Sequence, residues 1–172
     1  MLGVLKSVKN QLTSKCAGVT FCLLLLMSAS FAATTTSTFT VQITITASCT
    51  IVSTTTLNFG STGVISANID QTSTLQIQCT NTSPYNIGLN AGTAGGATVT
   101  TRKMTSGGAT VNYSLFSDAA RTVNWGNTVG TDTVASTGTG AAQSFTVFGR
   151  VPPQSTPAPG TYTDTITVTV TF

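Results

Sequence analysis

The chain contains no histidine and no glutamate; its four acidic residues are Asp70, Asp118, Asp132 and Asp164. Without imidazole it lacks the side chain whose ordinary pKa suits acid–base work near neutral pH. None of the four aspartates has a second carboxylate near it in sequence, as a paired-carboxylate mechanism would want. No histidine–cysteine cluster has metal-ligand spacing. These absences argue against an enzyme, and no metal or small-molecule cofactor is expected. No long stretch shows the 3.6-residue apolar period of an amphipathic helix, and no repeat of solenoid or propeller length recurs.

Charge is scarce as well, and it is unevenly placed. Lys6, Lys9 and Lys15 precede an apolar run over residues 16–27, and the small-x-small triplet Ser30-Phe31-Ala32 follows. That order is a secretory signal, with cleavage expected after Ala32. The run is too short for a comfortable bilayer span. Neither Ser14-Lys15-Cys16 nor Thr20-Phe21-Cys22 supplies the small residues that a lipoprotein signal places just before its cysteine. Removing residues 1–32 takes three of the seven basic residues, which leaves four against four aspartates and a net charge near zero. Nucleic acid and anionic membranes lose their electrostatic argument as partners.

Two of the four cysteines leave with the same segment, so Cys49 and Cys79 remain. In an oxidising export compartment one disulfide is the expected state, with two buried free thiols as the alternative. A loop of about 30 residues makes such a bridge worth roughly 3–4 kcal/mol in the chain-entropy view.

What is abundant is threonine, with 36 between Thr34 and Thr171. It is β-branched and polar, suited to the solvent face of a strand. Period-two alternation recurs along the chain. Residues 38–52 put Phe39, Val41, Ile43 and Ile45 on one face. Residues 72–80 put Leu75, Ile77 and Cys79 inward, where a core disulfide would need Cys79. Strands are also expected at 85–89, 99–104, 110–116, 143–151 and 161–172, with a short strand or bulge at 56–60. The last segment places Tyr162, Ile166, Val168, Val170 and Phe172 in phase, and Asp164 breaks the stripe. Residues 117–142 read as loop with a hairpin tip at Asn124–Asn127, and 152–159 as a proline-rich connection. About seven short strands with Gly/Pro turns specify an all-β, immunoglobulin-like sandwich in one domain.

Few polar groups suggest a site. Asp118 and Arg121 read as a pair fixing a loop. Trp125 between turn residues either packs the loop onto the sandwich or stacks on a sugar. The triplets at Asn81 and Asn112 match the glycosylation pattern by chance, since Pro84 follows the first and the second lies mid-strand.

From Cys49 onward an ordered set of elements resembles the spore coat protein U-like domain. It runs Cys49, Leu57-Asn58-Phe59-Gly60, Ile77-x-Cys79, Arg102-Lys103-Met104 and Tyr113 to Asp118. Arg121, Trp125-Gly126, Phe148 to Pro152, and Gly160-Thr161-Tyr162-x-Asp164 through Phe172 complete it. That family includes subunits of archaic (Csu-type) chaperone–usher pili. The resemblance implies an incomplete immunoglobulin-like sandwich completed by donor-strand exchange. It divides the chain into a signal (1–32), a donor-strand extension (33–46) and a pilin domain (47–172). Phe39, Val41, Ile43 and Ile45 become donor residues. Ile166, Val168, Val170 and Phe172 become the edge strand that a chaperone and then a donor pair with, facing inward. A chain that ends on an apolar residue fits that role.

The partners so implied are identical or related pilin subunits, a periplasmic chaperone and an outer-membrane usher. The route implied is export through the periplasm to a pilus on the cell surface. The function implied is attachment and biofilm formation. Two other readings compete with it. One is a self-contained secreted binding module of lectin type, with 38–48 paired in its own sandwich and Trp125 exposed. The other is a spore or cell coat protein.

Overall fold

The computed structural model describes residues 31–172, so the secretory signal expected over 1–32 lies almost wholly outside the described residues. The chain divides between Gln42 and Ile43 into two units, and each is described by itself. In the first, residues 31–42 form no strand and every side chain is exposed.

The second unit holds eight strands and, among the described residues, no helix. They are β1 (Cys49–Thr54), β2 (Ile69–Cys79), β3 (Pro84–Leu89), β4 (Arg102–Ser106), β5 (Ala109–Phe116), β6 (Val134–Thr137), β7 (Ala142–Val151) and β8 (Val168–Thr171). They form two antiparallel sheets, in the orders β1-β2-β7-β5-β4 and β6-β3-β8. This is the sandwich the alternation predicts, with one strand more than expected. The extra strand is β6, whose four residues Val-Ala-Ser-Thr are too short to show a period.

The longest ladder, β2 against β7, runs from Ile69↔Val151 to Gln78↔Ala142. It points Leu75, Ile77 and Cys79 inward with Val147 and Val151, while Gln71 and Gln78 face solvent. Val111, Tyr113 and Leu115 of β5 join them. Tyr85, Ile87 and Leu89 of β3 supply the opposite layer. The outer side of β3 is covered too: a Cβ on Gly88 would lie 3.1 Å from the Asn127 backbone. That is why β3 has no exposed alternation after Pro84.

Cys49 and Cys79 are direct cross-strand partners and are bridged, with Cα atoms 4.1 Å apart. Residues 38–48, read as the start of the first strand, form no ladder; the observed strand begins at Cys49. Leu57 to Gly60 is not a strand either. It crosses β7 at Gly149, where an added Cβ would sit 2.7 Å from Leu57 and 3.0 Å from Phe59, so only glycine lets the two segments approach this closely.

Two further expectations are corrected. Trp125 is not at a hairpin tip. It is 1% exposed, its Nε1–H donates to Ile87 O (2.8 Å), and its backbone N–H donates to Leu115 O (2.9 Å). It thus joins the two sheets, and it is not available to stack on a sugar. Asp118 and Arg121 do not pair through their side chains. Asp118 instead accepts the N–H groups of Thr122 and Val123. Arg121 reaches Asp70 (3.4 Å) and lies over the Phe148 ring. Asp70 is on β2, directly opposite Arg150, which donates to it twice at 2.8 Å.

Candidate functional site

The alternating segment near the C-terminus has an uneven path. Over Val168–Thr171 it pairs with β3 as β8. At Thr167 the pairing partner is already past the end of β3. The Thr167 N–H donates to Asn90 Oδ1 (2.9 Å), and the Asn90 N–H donates to Thr167 O (3.2 Å). At Thr163 the backbone exchanges hydrogen bonds of 2.8 and 3.1 Å with Thr105 on β4, a strand of the other sheet. The segment therefore passes from one sheet to the edge of the other. It counts as strand only over its last part because neither ladder reaches residues 164–166.

On its inner side the sandwich is open. A groove of about 990 Å³ runs between residues 54–63 on one flank and 156–168 on the other. Its floor is the inward face of the five-stranded sheet, with Leu75, Val111, Tyr113, Leu115 and Val147. Phe59 lies edge-on to Tyr113, with centroids 6.2 Å apart. Tyr162, Ile166 and Val168 line the other wall and are half-buried, in contrast to the closed packing around β3.

Of the expected C-terminal residues, Ile166 and Val168 line the groove. Val170 is half-buried against the core beyond the groove lining. Phe172 is 59% exposed rather than inward, because the ladder with β3 ends at Asn86↔Thr171. Leu57, Phe59, Met104 and Tyr113 also line the groove but were given no role from sequence. Their place in the resembling motifs was the only available signal.

Asp164, the break in the stripe, is fully engaged. Its Oδ1 accepts the Thr93 N–H (2.8 Å), the Thr93 hydroxyl (3.0 Å) and the Thr165 N–H (2.8 Å), and its Oδ2 accepts the Tyr113 hydroxyl (2.7 Å). Burial alone would raise its pKa, but these hydrogen bonds outweigh burial and hold the carboxyl below its ordinary value. Burial and the bond to Asp164 push the Tyr113 phenol far up, so it remains a donor.

Beneath lies Arg102, fully buried, with its guanidinium donating to the carbonyls of Leu89, Asn90, Val99 and Trp125 at 2.6–2.9 Å. Desolvation lowers its pKa, yet four carbonyl dipoles satisfy the charge. It pins the end of β3, and hence β8, to the loop before β4.

The expected donor residues Phe39, Val41, Ile43 and Ile45 are 75–87% exposed. Just after them the backbone is anchored. Thr80 donates its hydroxyl to Thr46 O (3.1 Å) and its N–H to Ser48 O (2.9 Å), while its Oγ1 accepts the Ser48 N–H (3.1 Å). The Cys49–Cys79 bridge follows immediately. Among the described residues no group of three or more metal-ligating side chains occurs.

These features define a class: an all-β sandwich with an open apolar groove and an uncovered apolar segment before its first strand. Residues 35–169 match the Spore Coat Protein U domain, and the chain belongs to that family. No curated protein matches it. Among solved structures it is similar to the CsuC–CsuE chaperone–tip adhesion subunit pre-assembly complex from archaic chaperone–usher Csu pili of Acinetobacter baumannii. There the TM-score is 0.55, the identity is 26%, and 75% of this chain is covered. The match spans 40% of the length of that chain.

Proposed function

We propose that this protein is a structural subunit of a chaperone–usher pilus, assembled by donor-strand complementation and serving surface attachment and biofilm formation. The observation that carries the reading is the open groove beside the C-terminal strand. Its apolar floor and half-buried wall want a strand that the chain's own second unit does not supply. Residues 33–46 have the complementary pattern. Phe39, Val41, Ile43 and Ile45 would fill the groove of a second copy, each contributing roughly 1.5–3 kcal/mol if fully buried. Main-chain bonds to the free edge would add affinity, as in β-strand addition generally. Such a contact is head-to-tail and does not close, so it builds a fibre.

The signal over residues 1–32 would deliver the chain to the periplasm. There a chaperone would cover the groove before an outer-membrane usher passes the subunit to the surface. The family and the pre-assembly complex similar to this chain support that route and a non-enzymatic role. In this scheme Ile166, Val168 and Val170 serve as the acceptor wall, with Phe172 at its outer end.

The test is a gel. Full-length chain and a form lacking residues 33–46 are exported with the genomically neighbouring chaperone, and unboiled and boiled samples are compared in detergent. A ladder that collapses on boiling and vanishes on deletion is the expected result. A folded monomer that neither ladders nor binds the chaperone would overturn the proposal.

A further inference from the structure

Between Val168, where β8 begins, and Thr163, where the bridge to β4 lies, the groove wall has no ladder on either side. Yet this stretch contributes Asp164 and Ile166 to the groove lining. An edge with so few main-chain partners should fray. Two side chains hold it, Asn90 at its Thr167 end and Asp164 at its centre, and Asp164 makes the wider set of bonds. Asp164 reaches across to the Gly92–Thr93 turn after β3 and down to Tyr113 of β5, so three elements meet on a single carboxylate. The turn is shaped for it. Gly92 has φ +86°, and a Cβ there would collide with the Asp164 carboxylate. Asn90 repeats the arrangement one step along, accepting from both the Gly92 and Thr167 N–H groups.

The geometry points to Asp164, seated on Gly92 and Thr93, as the latch that holds the acceptor wall open and in register before a donor strand arrives. It is therefore a positioning residue that sets how fast the donor is accepted. This rests on the donor-strand reading of the groove. The physical reason is preorganisation: a wall already fixed costs the incoming strand no further ordering. A carboxylate suits the task because its bonds to N–H and O–H donors are charge-assisted.

The test uses the full chain with its disulfide intact and a fluorescent peptide of residues 33–46 as the probe. Uptake rate and amide hydrogen exchange are followed in parallel for wild type, Asp164→Asn, and Asp118→Asn, whose loop clamp lies outside the groove. Asp164→Asn should take up peptide about tenfold more slowly, the size expected for losing a charge-assisted bond. The Thr163 and Thr105 amides should lose protection, and Asp118→Asn should match wild type in both readouts.

Uptake by Asp164→Asn at the wild-type rate overturns the inference, whatever its protection. If wild type takes up no peptide, the donor reading itself fails and the kinetic role with it. The Thr163 exchange then still decides whether Asp164 holds the wall. Should Asp164→Asn not fold, Thr93→Val gives the same test. It removes the hydroxyl donor and keeps the N–H, and a smaller slowing in the same direction is expected.

Discussion

Two segments of this chain carry nearly the same pattern. Phe39-x-Val41-x-Ile43-x-Ile45 precedes the first strand, and Ile166-x-Val168-x-Val170 ends the fold, both alternating with threonine or glutamine. By period they are indistinguishable. In the structure the first stripe is exposed throughout, whereas the second is half-buried against the core. The difference is not hydrophobicity. The C-terminal stripe has β3 beside it, Asn90 and Asp164 to tie it down, and a floor built from β2, β5 and β7. The N-terminal stripe has no such support among the described residues. An alternating pattern states that one face wants cover, and it is silent about which molecule provides it.

The contrast can be broken hardest at the support beneath the C-terminal stripe. Trp125→Ala empties the buried space that joins β3 to β5. It should cost about 3–5 kcal/mol in denaturant unfolding, and the C-terminal amides should lose protection first. Close behind comes the disulfide that secures Cys49, just after the N-terminal stripe. Replacing Cys49 and Cys79 with serine should cost roughly 3–4 kcal/mol. Equal midpoints with and without reductant in the wild type would contradict that.

A smaller effect concerns pH. The Asp164 carboxyl is held below its ordinary value in the folded state. Its contribution is therefore fully present above the unfolded value of about 3.9. It is lost as pH falls through the lower folded value. Asp70, lowered first by its bond to Arg150, and Asp118, lowered first by the Val123 N–H, shift in the same direction. Acid should therefore destabilise the wild type more than Asp164→Asn, by the share of one carboxylate. Identical acid titrations would show that Asp164 contributes nothing.

The smallest expected change in the folded chain sharpens the contrast most. Ile43→Asp alters an exposed side chain, so unfolding stability should move by no more than about 0.5 kcal/mol. Detergent-resistant ladders should nevertheless disappear. A stability loss as large as that of a core residue would mean that the stripe is buried in its own molecule.

Much of the fold was legible along the chain because burial on one face of a strand writes itself as period two. Strands β2, β3, β5 and β7 fall within a few residues of their expected positions, and the Cys49–Cys79 bridge is the one expected of two cysteines in an oxidising compartment, with Cys79 in inward phase. Strand β6 escaped because it is short. Residues 38–48 and 161–167 were read as strand because pattern records apolar phase, whereas a strand also needs a neighbour. Trp125 was placed at a turn because the flanking Asn and Gly are turn formers; that its indole bonds to Ile87 depends on a residue 38 positions away. The ionic partners were misassigned for the same reason: Asp118 and Arg121 are close in sequence, but Arg121 meets Asp70 from another strand.

The sequence by itself thus determined the class, an all-β chain with no histidine and no glutamate in which Cys49 and Cys79 can bridge. It also determined which faces are apolar, since alternation and composition are local properties. The tertiary structure alone decided which apolar face is covered. It alone opened a groove beside the C-terminal strand, buried Arg102 among four carbonyls, and brought Asp164 to Gly92, Thr93 and Tyr113. Those outcomes depend on contacts between residues tens of positions apart, and no local period encodes them.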